Sequence, residues 1–77
     1  MTDKVSEIKT TIRQELGDIP SKLFYDGIDK RLDEYGQDDK ALCAASDYVV
    51  MAVKLFIGVE QAEVIMSRCR DIIARAA

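Results

Sequence analysis

The chain contains no histidine. That absence removes the imidazole general base, the phosphorelay acceptor and the usual hydrolase triad. Cysteine is scarce: Cys43 and Cys69 stand far apart with no C-x-x-C pattern, and two ligands cannot close a four-ligand zinc site. Both are expected to be reduced thiols in or near a core, where free cysteine usually sits. No G-x-G-x-x-G, P-loop or G-x-S-x-G string occurs, so neither a nucleotide site nor a nucleophile elbow is signalled. The opening residues MTDKVSEIK lack the apolar region of a signal peptide, and no apolar run approaches the roughly 20 residues of a membrane span. A net charge of −3 gives no general attraction to phosphate backbones or anionic lipid. These absences predict a non-enzymatic cytoplasmic chain with no cofactor, no metal, no membrane association and no small-molecule ligand.

What is present is apolar patterning. Hydrophobic residues make up 48% and charged residues 32% of 77 positions, values of a globular chain and far from those of a disordered one. The whole of 1–77 reads as a single helical domain, since no linker, repeat or low-complexity stretch divides it. A chain this short buries only about 60% of its unfolded surface. Its core is therefore marginal, and a subunit interface would add to it.

Four helices are legible. Val5, Ile8, Ile12 and Leu16 form one helical stripe, with Thr2 or Asp3 as candidate cap, Gly17 as the residue beyond the end, and Lys4, Glu7, Lys9, Arg13 and Gln14 on the solvent side. Asp18 can cap a second helix with Pro20 in its first turn. This helix carries Phe24, Ile28, Leu32 and Tyr35 on one face, with Leu23 and Tyr25 beside it, and stops at Gly36. Gly27 in its interior costs about 1 kcal/mol relative to alanine, which predicts the close approach of a neighbouring helix there. Within this helix Asp26–Lys30 and Lys30–Glu34 are favourable pairs and Asp29–Asp33 a repulsive one. The run from Asp33 to Asp39 lacks the alternating ligands of a calcium loop, and Asp38 or Asp39 is expected to cap the third helix instead. The last helix, about Val59 to Ala76, gathers Ala62, Ile65, Met66, Cys69, Ile72, Ile73 and Ala76 on one arc and leaves Val64 outside it.

The fold expected is therefore all-α, a compact four-helix domain with helix three, about 39–57, as the central helix. Between Ala41 and Ile57 only Asp47 and Lys54 are charged. A projection at about 100° per residue centres Leu42, Ala45, Val49, Ala52, Val53 and Phe56 on one face, with Tyr48 and Leu55 on its flank, and gathers Lys40, Asp47 and Lys54 on the other. Met51 and Ala44 lie beside that polar strip, with Val50 and Cys43 bordering it on the other side. An ordinary amphipathic helix would be polar at these places, so neighbours are expected on nearly every side.

Two stretches resemble known families. Val5-Ser6-Glu7-Ile8 through Gln14-Glu15-Leu16-Gly17 resembles the first helix of an acyl carrier protein. The Asp-Ser-Leu whose serine carries phosphopantetheine in that family is absent, and Ser21 comes too early and follows proline. Residues 53–64, with Gly58 at the corner, resemble the turn and recognition-helix entry of a helix-turn-helix, which implies DNA binding. This chain departs from that pattern in having Lys54 where a small residue is usual, and Glu60 and Glu63 would bring carboxylates to phosphate.

The reading preferred on these grounds is a protein–protein interaction domain, adaptor or regulatory, that associates with another protein or as a homodimer through the apolar margins of helix three. Tyr48, Val50, Met51 and Lys54 are the interface candidates, because aromatic residues and methionine are enriched at such surfaces. The alternative for each is burial within one chain. Met66, Cys43 and Cys69 are further expected to line an apolar pocket, if one exists.

Overall fold

The computed structural model describes residues 4–36 and 38–75. Among them are four α-helices and no strand: α1 (Lys4–Leu16), α2 (Lys22–Tyr35), α3 (Asp39–Phe56) and α4 (Val59–Ala74). Each helix stops or starts for a local reason. Gly17 takes a left-handed φ of +55° after α1, and its N–H closes onto Arg13 O at 2.8 Å, as a glycine at this position does. Asp38 caps α3 by accepting from Ala41 N at 2.8 Å. The α3 end is closed by the Ile57 and Gly58 N–H groups, both of which donate to Val53 O. At α2 the cap is Ser21, which accepts from Phe24 N. Asp18 does not cap, and Pro20 precedes the cap instead of entering the first turn. A hydroxyl immediately before the first helical residue reaches the third N–H directly, whereas Asp18 is three positions too early. The cap expected at Thr2 or Asp3 lies outside the described residues, as does Ala76 of the α4 arc.

The core is drawn from all four stripes. Ile8, Ile12 and Leu16 of α1, Ile28 and Leu32 of α2, Leu42, Ala45, Val49 and Val53 of α3, and Ala62, Ile65, Cys69, Ile72 and Ile73 of α4 are buried. Full burial of a large aliphatic side chain contributes about 1.5–3 kcal/mol, so these positions dominate the stability. Met66 of the α4 arc is only half-buried.

Ion pairs then fix the register between helices. Arg13 makes a two-pronged pair with Asp29, at 3.1 and 2.7 Å, and Lys9 reaches Asp33 at 2.6 Å. As the α1 position rises by four, its α2 partner falls by four, which is an antiparallel register. Glu15–Arg68 and Glu7–Arg75 set α1 antiparallel to α4 in the same way. Lys4 bridges three helices: its ammonium pairs with Asp39 at 3.0 Å and donates to Ile73 O at 2.8 Å. The second contact places a cation on the exposed carbonyl end of α4, where the helix dipole favours it. The cations of α1 thus span to its neighbours rather than simply facing solvent. Asp29 and Asp33, repulsive within one helix, are each neutralised from α1. Short connections and these registers give an up-down-up-down order.

Three expectations about packing are corrected. No atom lies within 4 Å of where a Gly27 side chain would begin, so no helix approaches closely there. Phe56, projected onto the core face, is 75% exposed. It occupies the last turn of α3, beyond the buried stretch, and meets only the rim of α2 through an edge-on contact with Phe24 at 6.1 Å. Helix α3 packs between α2 and α4 and is not enclosed: Cys43, Ala44, Asp47, Tyr48, Met51, Lys54 and Leu55 are exposed. In a two-by-two arrangement each helix has two neighbours and an outer side, whatever its hydropathy.

Candidate functional site

The outer side of α3 is where sequence and packing disagree. Ala44, Tyr48, Met51 and Leu55 follow one another at spacings of four, three and four, which places them in a single line along the helix. All four are exposed, Met51 by 62% and Leu55 by 73%. Scattered exposed apolar residues are ordinary, and it is their contiguity here that makes this side the candidate surface. Asp47 and Lys54 flank this line on its α4 side.

On the α2 side the line runs into an open groove of about 190 Å³ whose walls include Leu23, Phe24, Gly27, Tyr48, Ala52 and Phe56. Leu23 is 82% exposed. The lack of a side chain at Gly27 keeps the groove floor low, which is its visible effect here. Tyr48 is held rather than loose: the Arg31 guanidinium lies 4.1 Å from its ring centroid and 5.5 Å from that of Tyr35, a cation–π contact joining α2 to α3.

Of the candidates named from sequence, Tyr48, Met51 and Lys54 are on this outer side. Val50 is not with them. It is half-buried against the core and turns toward α4. Leu55, Leu23 and Phe56 were not among those candidates, and all three are exposed. Leu55 and Phe56 projected onto or beside the core face, and nothing in a sequence signals where a helix outruns its neighbour.

Val50 lines instead a second cleft, about 170 Å³, between α3 and α4, together with Cys43, Ser46, Met66 and Cys69. The three sulfur residues expected to share a pocket do so. The two thiols differ, however, because Cys43 is exposed and Cys69 buried. Burial pushes the Cys69 thiol up to about 11, an effect softened by the adjacent Ser46 hydroxyl and by Arg68. Ser46 Oγ is itself buried without a hydrogen-bond partner of normal geometry. A thiol kept protonated is a poor nucleophile. Ellman's reagent is therefore expected to titrate one thiol rapidly in the native protein and two in denaturant, with Cys43→Ser abolishing the fast reaction. Two equally fast thiols would contradict this placement. The same shift has a stability consequence: the Cys69 contribution is intact below the ordinary thiol value of 9.0 and is lost as pH rises through about 11.

Asp38 caps α3, Asp33 and Asp39 are ion-paired, and no cluster of three metal-binding side chains occurs among the described residues. Arg68 of α4 and Arg75 at its C-cap pair with Glu15 and Glu7 of α1 at 2.8 and 2.7 Å. No helix of the described residues is long and apolar enough to cross a membrane. Comparison with protein-family models, with curated proteins and with solved structures finds no match for the chain.

Proposed function

We propose that the chain is a cytoplasmic, non-enzymatic interaction domain that binds another protein chain through the outer side of α3. The observation that carries the reading is the exposed line Ala44, Tyr48, Met51 and Leu55, bordered by Leu23 and Phe56. Water gains nothing by solvating such a surface, and removal of apolar area from water is worth about 25 cal/mol per Å². Tyr48 and Met51 supply the contact types enriched at interface centres, and the Arg31 stack reduces the rotamer freedom Tyr48 would lose on binding.

The test is affinity capture from a lysate of the source cells, comparing the tagged chain with Met51→Asp. Met51 is 62% exposed, so the variant is expected to retain the native circular dichroism spectrum and melting curve. Binding of the specific partner, whether the untagged chain itself or another protein, is expected to fall at least about tenfold, since a carboxylate in an apolar contact is left desolvated and unpaired. An identical set of captured proteins from the folded variant would clear this face of the role.

A further inference from the structure

We propose that the occupant of the α3 face is a second copy of this chain, docked with the two α3 helices antiparallel about a two-fold axis beside Met51. The proposal rests on reading the outer side of α3 as an interface and adds to it both the partner and the register.

The charges make the case. Asp47 and Lys54 are seven residues apart, two helical turns, so they occupy the same position relative to the apolar line. The matching position on its other side holds no charge: Ala52 there is half-buried and Ala45 is turned into the core. When two identical helices pair in parallel, the flanks that meet are unlike ones, so Asp47 and Lys54 would meet no opposite charge. When they pair antiparallel, each flank meets its own copy running in reverse. With the axis beside Met51, Asp47 of one chain then faces Lys54 of the other, and the pairing occurs twice. This opposite-charge self-complementarity is what an isologous two-fold interface requires, and one helix supplies it without help from another protein.

Steric and areal features agree. Ala44 is small and exposed at one end of the line, which permits close helix approach, while Tyr48 and Met51 provide bulk toward the centre and Leu55 lies at the other end, opposite the partner's small end in the antiparallel register. The molecule measures 32 × 21 × 21 Å, so one long side is commensurate with the roughly 800 Å² per partner of a standard interface. Leu23 and Phe56, 82% and 75% exposed, extend the apolar surface along the α2 margin.

Sedimentation velocity on the purified full chain, from about 10 μM to about 1 mM to cover weak and moderate affinities, provides the test. The wild type is expected to shift from monomer to dimer across this range. Met51→Asp, which sets two carboxylates against each other at the axis, is expected to weaken the dimer about 100-fold. Asp47→Lys or Lys54→Asp alone replaces two attractions with two repulsions and is expected to weaken it about tenfold, whereas the double swap returns it to within about threefold of wild type. The rescue separates the proposed register from any merely structural effect of the charges. A wild type that stays monomeric throughout overturns the second-copy proposal, as does a double swap no tighter than the single variants. A monomer whose capture of a different protein still depends on Met51 removes only the second copy. A monomer whose captured proteins are indifferent to Met51 removes the interface reading as well.

Discussion

Leu32→Ala is expected to destabilise the domain by about 3 kcal/mol, within the range of fully buried leucine truncations. Against the roughly 4–12 kcal/mol available to a domain of this length, that is a large share of the total. Leu32 has no exposed surface and, with Ile28, is one of the two residues of α2 that are fully buried. Phe24 and Tyr25 are only half-buried against the core. The ion pairs Arg13–Asp29 and Lys9–Asp33 join α2 to α1 across partly exposed ground, where each contributes about 0–1 kcal/mol. No other helix is held by so few side chains, so truncation at Leu32 leaves α2 secured chiefly by Ile28. The measurable results are a fall in melting temperature of more than about 10 °C and a selective gain in amide exchange along α2 relative to α4. A loss below about 1 kcal/mol would mean that α2 is docked by something other than this side chain.

The same arithmetic explains which parts of the structure were legible in the sequence. Helix existence followed from period alone: the stripe Ile8, Ile12, Leu16 and the arc Ala62, Ile65, Cys69, Ile72, Ile73 recur at helical spacings and are the faces turned to the core. Gly17, and Asp38 as one of two adjacent candidates, were readable because capping is a local interaction, while Ser21 was passed over for Asp18. Cross-helix features were not readable in this way. The i,i+4 rule marks Asp29 and Asp33 as repulsive neighbours, and only the packing of α1 reveals that Arg13 and Lys9 answer them. Phe56 carries the angular position of a core residue and ends up exposed, since angle does not record how far the neighbouring helix extends. Of the candidate surface, the exposed Tyr48, Met51 and Lys54 could be named because apolar excess around two charges is visible in a projection. Val50 could not be separated from them, as a few tens of degrees decide between the outer side and the α4 cleft.

Gly36→Ala is expected to cost about 2 kcal/mol, for a reason unlike that of most glycine substitutions. Its φ of −84° is open to any residue, so no backbone strain is relieved by glycine here. Space is what glycine provides. A methyl group at this point would run into the Val5 side chain and would come within 2.7 Å of the Leu32 carbonyl oxygen, and overpacking of this kind costs about 1–3 kcal/mol. Gly17 is the reverse case: its φ is +55° with nothing within 4 Å of an added side chain, so Gly17→Ala costs about 1 kcal/mol through conformation alone. A double-mutant cycle distinguishes the two mechanisms. Adding Val5→Ala is expected to recover about half of the Gly36→Ala loss, by emptying the space the methyl needs, and to leave the Gly17→Ala loss additive within about 0.5 kcal/mol. Urea denaturation of the wild type, the three single variants and the two double variants supplies the measurement. Strict additivity of Val5→Ala with Gly36→Ala would show that the first turn of α1 does not press on the end of α2. That contact matters beyond its own energy, because it seats the turn carrying Lys4, whose ammonium joins α1 to both α3 and α4.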